Sequence, residues 1–221
     1  MPTASTAPPT GRTESGPANT LAVVDPTVVA ETTATVAPAL PAASTTGGTV
    51  WLTGLPSAGK TTVATAVAER LRGTGRRVEV LDGDAVREHL SAGLGFSRAD
   101  RDTNVARIGF VAELLARNGV LVLAAVISPY AAARDAVRAR HVASGTPFLE
   151  VHVATPVEVC SVRDVKGLYA KQRSGQIAGL TGVDDVYEAP GTPELVLRTD
   201  NSTLDASVDA VLAALSERGL L

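Results

Sequence analysis

From Gly48 onward, short apolar runs alternate with stretches of helical periodicity. TVWLT (49–53), VEVLD (78–82), LVLAAVI (121–127), FLEVHVA (148–154) and LVLRT (195–199) are candidate strands. Most are nearly continuous in apolar residues, as strands covered on both faces are. Between them lie VATAVAERLR (63–72), the segment from Ala99 to Asn118, AARDAVRARHV (132–142) and LDASVDAVLAALSERG (204–219), which read as helices. The alternation predicts an α/β domain over residues 48–221: a parallel sheet with helices on both faces. A ligand should then bind beyond the carboxyl ends of the strands. The glycine-containing stretch from about Asp164 to Pro193 fits neither a strand nor a long helix and reads as a mobile lid.

Residues 1–47 differ. They are dominated by Ala, Thr, Pro, Ser and Val, with charges only at Arg12, Glu14, Asp25 and Glu31. Such a stretch buries too little apolar area to offset its ordering entropy, which predicts a disordered extension. Its first ten residues lack Lys and Arg, and LAVVDPTVVA is broken by Asp25 and Pro26, so it does not have the pattern of a secretory signal. No apolar run reaches the length of a membrane span. A net charge of −3 without basic clusters argues against a nucleic-acid partner. The single cysteine, Cys160, reads as a buried structural thiol and points to the cytoplasm.

The chemistry enters at GLPSAGKTT, residues 54–62. Gly54 to Thr61 fits G-x-x-x-x-G-K-[ST] between a strand and a helix, the context of a phosphate-binding loop and so of a P-loop NTPase-type sheet. Gly54, Leu55, Pro56, Ser57, Ala58 and Gly59 would turn backbone amides toward phosphate oxygens. The helix that follows points its positive end at the anion. Lys60 would reach the β and γ phosphates, Thr61 would ligate Mg2+, and Thr62 extends the cradle. Of twenty basic residues only Lys60, Lys166 and Lys171 are lysines, which marks the lysine positions as chemically particular.

LDGDAVR follows. Asp82 and Asp84 sit at a strand end, where one can order magnesium and the other can accept a hydroxyl proton. D-x-D is equally a helix-capping turn. Arg87, one turn on, can hold an anion. Phe96, in a polar loop, can stack on a base, and Arg101, Asn104 and Arg107 share a helical face. Ile127 and Ser128 lie where the third strand leaves the sheet. No acidic residue ends that strand, so the magnesium carboxylate falls to LDGD.

These residues resemble the adenylylsulfate kinase family. The resemblance runs from about Thr49 to the C-terminus and rests on GLPSAGKTT, LDGDAVR, LGFSRADRDTN, ISPY, RDVKGLYAKQR, LTGVDDVYEAP and APGTPELVLRTD. It implies transfer of the ATP γ-phosphate, with Mg2+, to the 3′-hydroxyl of adenosine 5′-phosphosulfate (APS). It implies acceptor contacts from Asp84, Arg87, Phe96, Arg101, Asn104, Ile127, Ser128, Lys166, Gly179 and Leu180, places Lys60, Asp82, Asp84 and Ser128 in the catalytic set, and implies ATP-side contacts from Arg163 and Arg173, with Lys171 meeting phosphate as the lid closes. The family designates the serine matching Ser128 a phosphoserine intermediate. Direct in-line transfer needs no covalent step, so the residue reads here as an acceptor-positioning group. One departure stands out: Leu180 replaces the family's lid phenylalanine, so an aliphatic cover over the acceptor adenine is expected. Family members are often dimers, and the resemblance leaves a homodimer and a sulfurylase partner open. The competing readings are a small P-loop kinase for a sugar acid or antibiotic hydroxyl, which would need neither Phe96 nor the VKGLYAKQR lid, and a nucleotide sensor without turnover, which would lack a catalytic group.

Overall fold

The structure is a computed structural model that describes residues 46–221. The expected disordered extension thus lies outside the described residues up to position 45, and its last residue, Gly47, is buried. Five parallel strands form one sheet in the order β2-β3-β1-β4-β5. They are β1 (Gly48–Thr53), β2 (Val78–Asp82), β3 (Leu121–Ala125), β4 (Phe148–Val153) and β5 (Leu195–Leu197). β1 is central, pairing Thr49 with Val122 on one side and Phe148 on the other. Every residue of β1 and β3 is buried, which accounts for their unbroken apolar runs.

Alternate residues of β1 serve two cores. Val50 and Leu52 pack with α1 (Lys60–Arg72) and α7 (Leu204–Glu217). Trp51 turns the other way, into a cluster with Val105, Ile108 and Ala112 of α3 (Arg98–Ala116), Val137 of α4 (Ala131–Ser144) and Phe148. This period of two is the strand geometry that lets one strand anchor both helical layers. The remaining helices are short: α2 (Gly83–Leu90), α5 (Val157–Arg163) and α6 (Leu168–Arg173). The lid stretch thus contains a six-residue helix followed by turns. Cys160 is fully buried in the first core, as expected of a structural thiol. No helix among the described residues is long and apolar enough to cross a membrane.

All five strands end on the same edge, and the loops after β1, β2 and β3 carry the phosphate loop, the paired aspartates and Ile127–Ser128. Burial holds that edge together. Arg134 of α4, 2% exposed, donates to Glu150 at 2.8 Å, to the Ser128 carbonyl at 2.7 Å and to the Glu188 carbonyl at 2.7 Å. Arg138 adds Glu150 and Glu194. Strand β4, the segment after β3 and the stretch around Glu188 therefore share one ion network.

Gly109 lets α3 approach α4. A Cβ there would lie 2.5 Å from a Val137 methyl carbon, inside any permitted contact. Gly109→Ala should cost about 1–3 kcal/mol by overpacking, lowering Tm by roughly 2–12 °C in a domain of this size. Thermal unfolding of Gly109→Ala, Val137→Ala and the double variant checks this. The double variant should lose less than the two singles summed, and an unchanged Tm in Gly109→Ala would contradict the packing.

Candidate functional site

At the strand edge lies a cleft of about 610 Å3, within the usual range for small-ligand sites. The phosphate loop forms its floor. Gly54 has φ +152°, and a Cβ there would come within 2.5 Å of the Val153 carbonyl oxygen, so only glycine fits between β1 and β4. Ser57 holds a left-handed φ of +59° without being glycine, the kind of strain found where a loop is shaped for a ligand. α1 begins after Gly59 with no side chain capping its first amides, leaving its positive end to an anion. Lys60 is buried, and its ammonium folds back to donate to the Gly54 and Leu55 carbonyls at 2.9 and 2.7 Å. Desolvation pulls its pKa from 10.5 down to about 7, aided by Lys166 and opposed by the charges of Cys160 and Asp82.

The loop is tied in place by residues that the sequence reading passed over. Thr199 donates to the Ala58 carbonyl at 2.8 Å, and Thr155 donates to the same carbonyl at 3.0 Å. Both follow strand ends, β5 and β4, which is the signal that could have found them. Arg163 holds Thr199 through its hydroxyl and carbonyl. With Ser202, Leu204 and Ser207, this pair lines the end of the cleft beside α7. Tyr169 of α6 donates to the Pro56 carbonyl at 3.1 Å, and Leu55 packs against Gly182. Leu55 and Ala58 thus face the protein rather than the cleft, while Pro56, Ser57, Gly59, Thr61 and Thr62 line it.

Asp82 does both jobs that the D-x-D pattern allows. Its Oδ1 caps α2 by accepting from the Asp84 and Ala85 amides. Its Oδ2 accepts from the Thr61 hydroxyl at 2.6 Å. Two hard oxygens so placed beside the phosphate loop fit Mg2+, which needs only one or two carboxylates when phosphates and water supply the rest. No cluster of three or more His, Cys, Asp or Glu stands among the described residues. Asp84 projects into the cleft as an ion pair with Lys166.

The wall also carries Arg87, Arg101, Asn104, Ile127 and Ser128. Burial, then the neighbouring Arg101 charge, press Arg87 below its ordinary pKa, and an anion between them would relieve both effects. Arg101 also anchors the lid. It donates to Phe96 O, Thr181 Oγ1 and Gly179 O at 2.6–2.8 Å and pairs with Asp185 at 3.3 Å. Ser91 donates to Asn104. The Ile127 carbonyl accepts from Thr53.

Several expected contacts are placed otherwise. Phe96 lies off the cleft wall and is 66% exposed, its ring covered by the Arg87 guanidinium at 4.7 Å. Leu180 is not an open cover: it is 6% exposed and belongs to the main core. Its amide and that of Gly179 donate to Asp184, which turns the aliphatic side chain inward where burial favours it. Lys171 and Arg173 are exposed on α6 and stand off the wall. Arg107 donates to the Leu90 carbonyl, holding α2 against α3.

Comparison with known proteins agrees with this geometry. The adenylylsulphate kinase family model matches residues 46–198. The adenylyl-sulfate kinase of a Synechococcus species is 55% identical over 173 residues, covering 78% of this chain and 97% of its own. The probable adenylyl-sulfate kinase of a Synechocystis species is 58% identical over 165 residues, covering 75% and 91%. Among solved structures, the Mycobacterium tuberculosis APS kinase in complex with AMPPNP and APS is 45% identical. It superposes with a TM-score of 0.75, covering 77% of this chain and 98% of its own.

The state of Lys60 yields a measurable coupling. The folded chain gives up this proton near pH 7 and the unfolded chain only near 10.5. The unfolded state therefore binds more protons between those values, and this group makes the ligand-free fold gain stability as pH rises through that window. A bound triphosphate favours the ammonium and reverses the effect. At pH 8, binding of a non-hydrolysable ATP analogue should take up about one proton, read by calorimetry in buffers of different ionisation enthalpy. Lys60→Arg, whose guanidinium stays charged, should abolish the uptake. Binding without proton uptake in the native chain would contradict a desolvated lysine.

Proposed function

The chain belongs to the adenylylsulphate kinase family, and on that premise we propose how its residues share the transfer of the ATP γ-phosphate to the 3′-hydroxyl of APS. The observation that carries the reading is one cleft whose wall joins the phosphate loop, Asp82 and Asp84, and the two arginines Arg87 and Arg101. ATP lies along Gly54–Thr62, its phosphates on the α1 amides and Lys60, its nucleoside toward Arg163, Thr199 and Ser207. Lys60 exchanges two carbonyl partners for phosphate oxygens and gains charge as it does so. Thr61 and Asp82 would hold Mg2+, which when bound neutralises phosphate charge and aligns the terminal phosphoryl group.

APS occupies the other half. Its sulfate and phosphate suit Arg87 and Arg101, and Ile127 and Asn104 shape the space for the nucleoside. Asp84 accepts the proton of the 3′-hydroxyl as that oxygen attacks phosphorus in line with the departing ADP oxygen. Lys166 pairs with Asp84. When the acceptor enters, the ammonium shifts to its anionic groups and frees the carboxylate. Ser128 stays out of the covalent path. It is 2% exposed, and its oxygen already accepts from the Trp51 indole at 3.0 Å. The product is 3′-phosphoadenosine 5′-phosphosulfate. An ATP-consuming chain with one cysteine suits the cytoplasm.

The test is ADP release with and without APS, measured on the native chain and on Asp84→Asn. Release should depend on APS. Asp84→Asn should reduce kcat by about 10²- to 10⁴-fold while the affinity for an ATP analogue stays near that of the native chain. Release independent of APS would overturn the acceptor assignment, and an undiminished kcat in the variant would remove Asp84 from the base role.

A further inference from the structure

Ser128 is held in a way its place in the chain does not require. It sits three residues past β3 with a left-handed φ of +40°, although it is not glycine and is almost fully buried. Such a conformation costs energy and persists only where neighbours over-determine it. Two neighbours do so from different elements. Arg134 of α4 donates to the Ser128 carbonyl at 2.7 Å. Trp51 of β1 donates its indole N–H to the Ser128 hydroxyl oxygen at 3.0 Å, across 77 positions of sequence.

A buried indole needs one acceptor, and a backbone carbonyl is the common solution. Trp51 instead meets a strained hydroxyl on the cleft wall. A hydroxyl has one hydrogen and two lone pairs. With the indole on a lone pair, the Ser128 hydrogen points elsewhere, and the hydroxyl donates no hydrogen bond to another described residue. The hydroxyl is thereby set as a donor. It shares the cleft wall with Arg87 and Arg101, which suit an anion.

We propose that Trp51 is a positioning residue of the acceptor site: its indole N–H fixes the Ser128 hydroxyl as a hydrogen-bond donor toward an anionic or ester oxygen of the acceptor. The inference rests on the acceptor assignment made above. Trp51 itself touches no substrate, being fully buried against Phe148 at a centroid distance of 6.1 Å. It lies three residues before Gly54, where the phosphate loop begins, so one strand carries both the donor-side cradle and the acceptor-side anchor.

Trp51 is the only tryptophan, so the chain has one indole N–H resonance. With a non-hydrolysable ATP analogue bound, APS is titrated and followed by that resonance and, in parallel, by calorimetry. The resonance should move as APS saturates, and the movement should be lost in Ser128→Ala. Trp51→Phe should weaken APS binding by roughly two- to tenfold, the worth of one neutral hydrogen bond, with ATP-analogue affinity unchanged. Within a Ser128→Ala background the same substitution should have no further effect on APS. Multiplying effects, or a parallel loss of ATP-analogue affinity, would reduce Trp51 to packing and overturn the proposal. If Trp51→Phe does not fold, the indole response of Ser128→Ala decides alone: a response to APS that persists there overturns it. Saturable APS binding with a silent indole in the native chain refutes this proposal only. Absence of APS binding refutes the acceptor assignment as well.

Discussion

The site depends on a charge that the fold holds at a disadvantage. Lys60 is buried at the start of α1 with only two carbonyl oxygens for company. Burial, which takes the ammonium out of water, brings its pKa down to about 7. Everything around it is arranged to be completed by phosphate. Gly54 and Ser57 take conformations that turn the loop around an anion, and α1 leaves its first amides uncapped. Thr155 and Thr199 then fix the loop from β4 and β5, so the cradle does not collapse when it is empty.

The second half of the cleft is built on restraint from the opposite helical layer. Arg134 and Glu150 are both nearly inaccessible to water. Removing one partner of such a pair leaves an uncompensated buried charge, which commonly costs about 3–5 kcal/mol. The pair therefore stabilises the arrangement around it, and that arrangement is the end of β3, the Ser128 carbonyl and the lid backbone at Glu188. Arg101 performs the same service from α3, joining the Phe96 loop to Gly179, Thr181 and Asp185. Acceptor-side side chains thus serve first as structural clamps. Phosphate loop and acceptor wall are connected through β1, where Trp51 and Thr53 both reach the Ile127–Ser128 segment.

Much of this was legible before any coordinates. The strand VEVLD has the bounds Val78–Asp82 that its pattern predicts, and the helix read at 63–72 ends at Arg72 as expected while starting one turn earlier, at Lys60. These are the cases where local periodicity and the global fold demand the same thing. The D-x-D pattern was ambiguous because capping and metal ligation both suit aspartate at a strand end, and Asp82 serves both through separate oxygens. Leu180 is buried rather than an open cover, because a family position specifies where the backbone passes and not which way an aliphatic side chain turns. With no ring to stack, it finds its burial in the core. Phe96 was placed in its loop, while its pairing with Arg87 was invisible to local pattern. The clamps Arg134 and Trp51 were missed because each acts on residues as far as 54 and 77 positions away, where local pattern carries no signal; Thr155 and Thr199 are marked by their places after strand ends, but the carbonyl they hold lies 97 and 141 positions away.

The central claim is that phosphorus passes once, from ATP to the acceptor hydroxyl, with Asp84 taking the proton and Ser128 only holding the acceptor. The stereochemistry of transfer tests that most directly. ATP made chiral at the γ position with sulfur and oxygen isotopes is converted with APS, and the configuration of the thiophosphoryl group in the product is determined. A single in-line displacement inverts the configuration at phosphorus, and inversion is the result this account predicts. Retention would mean two displacements through a phosphorylated side chain, and would contradict it.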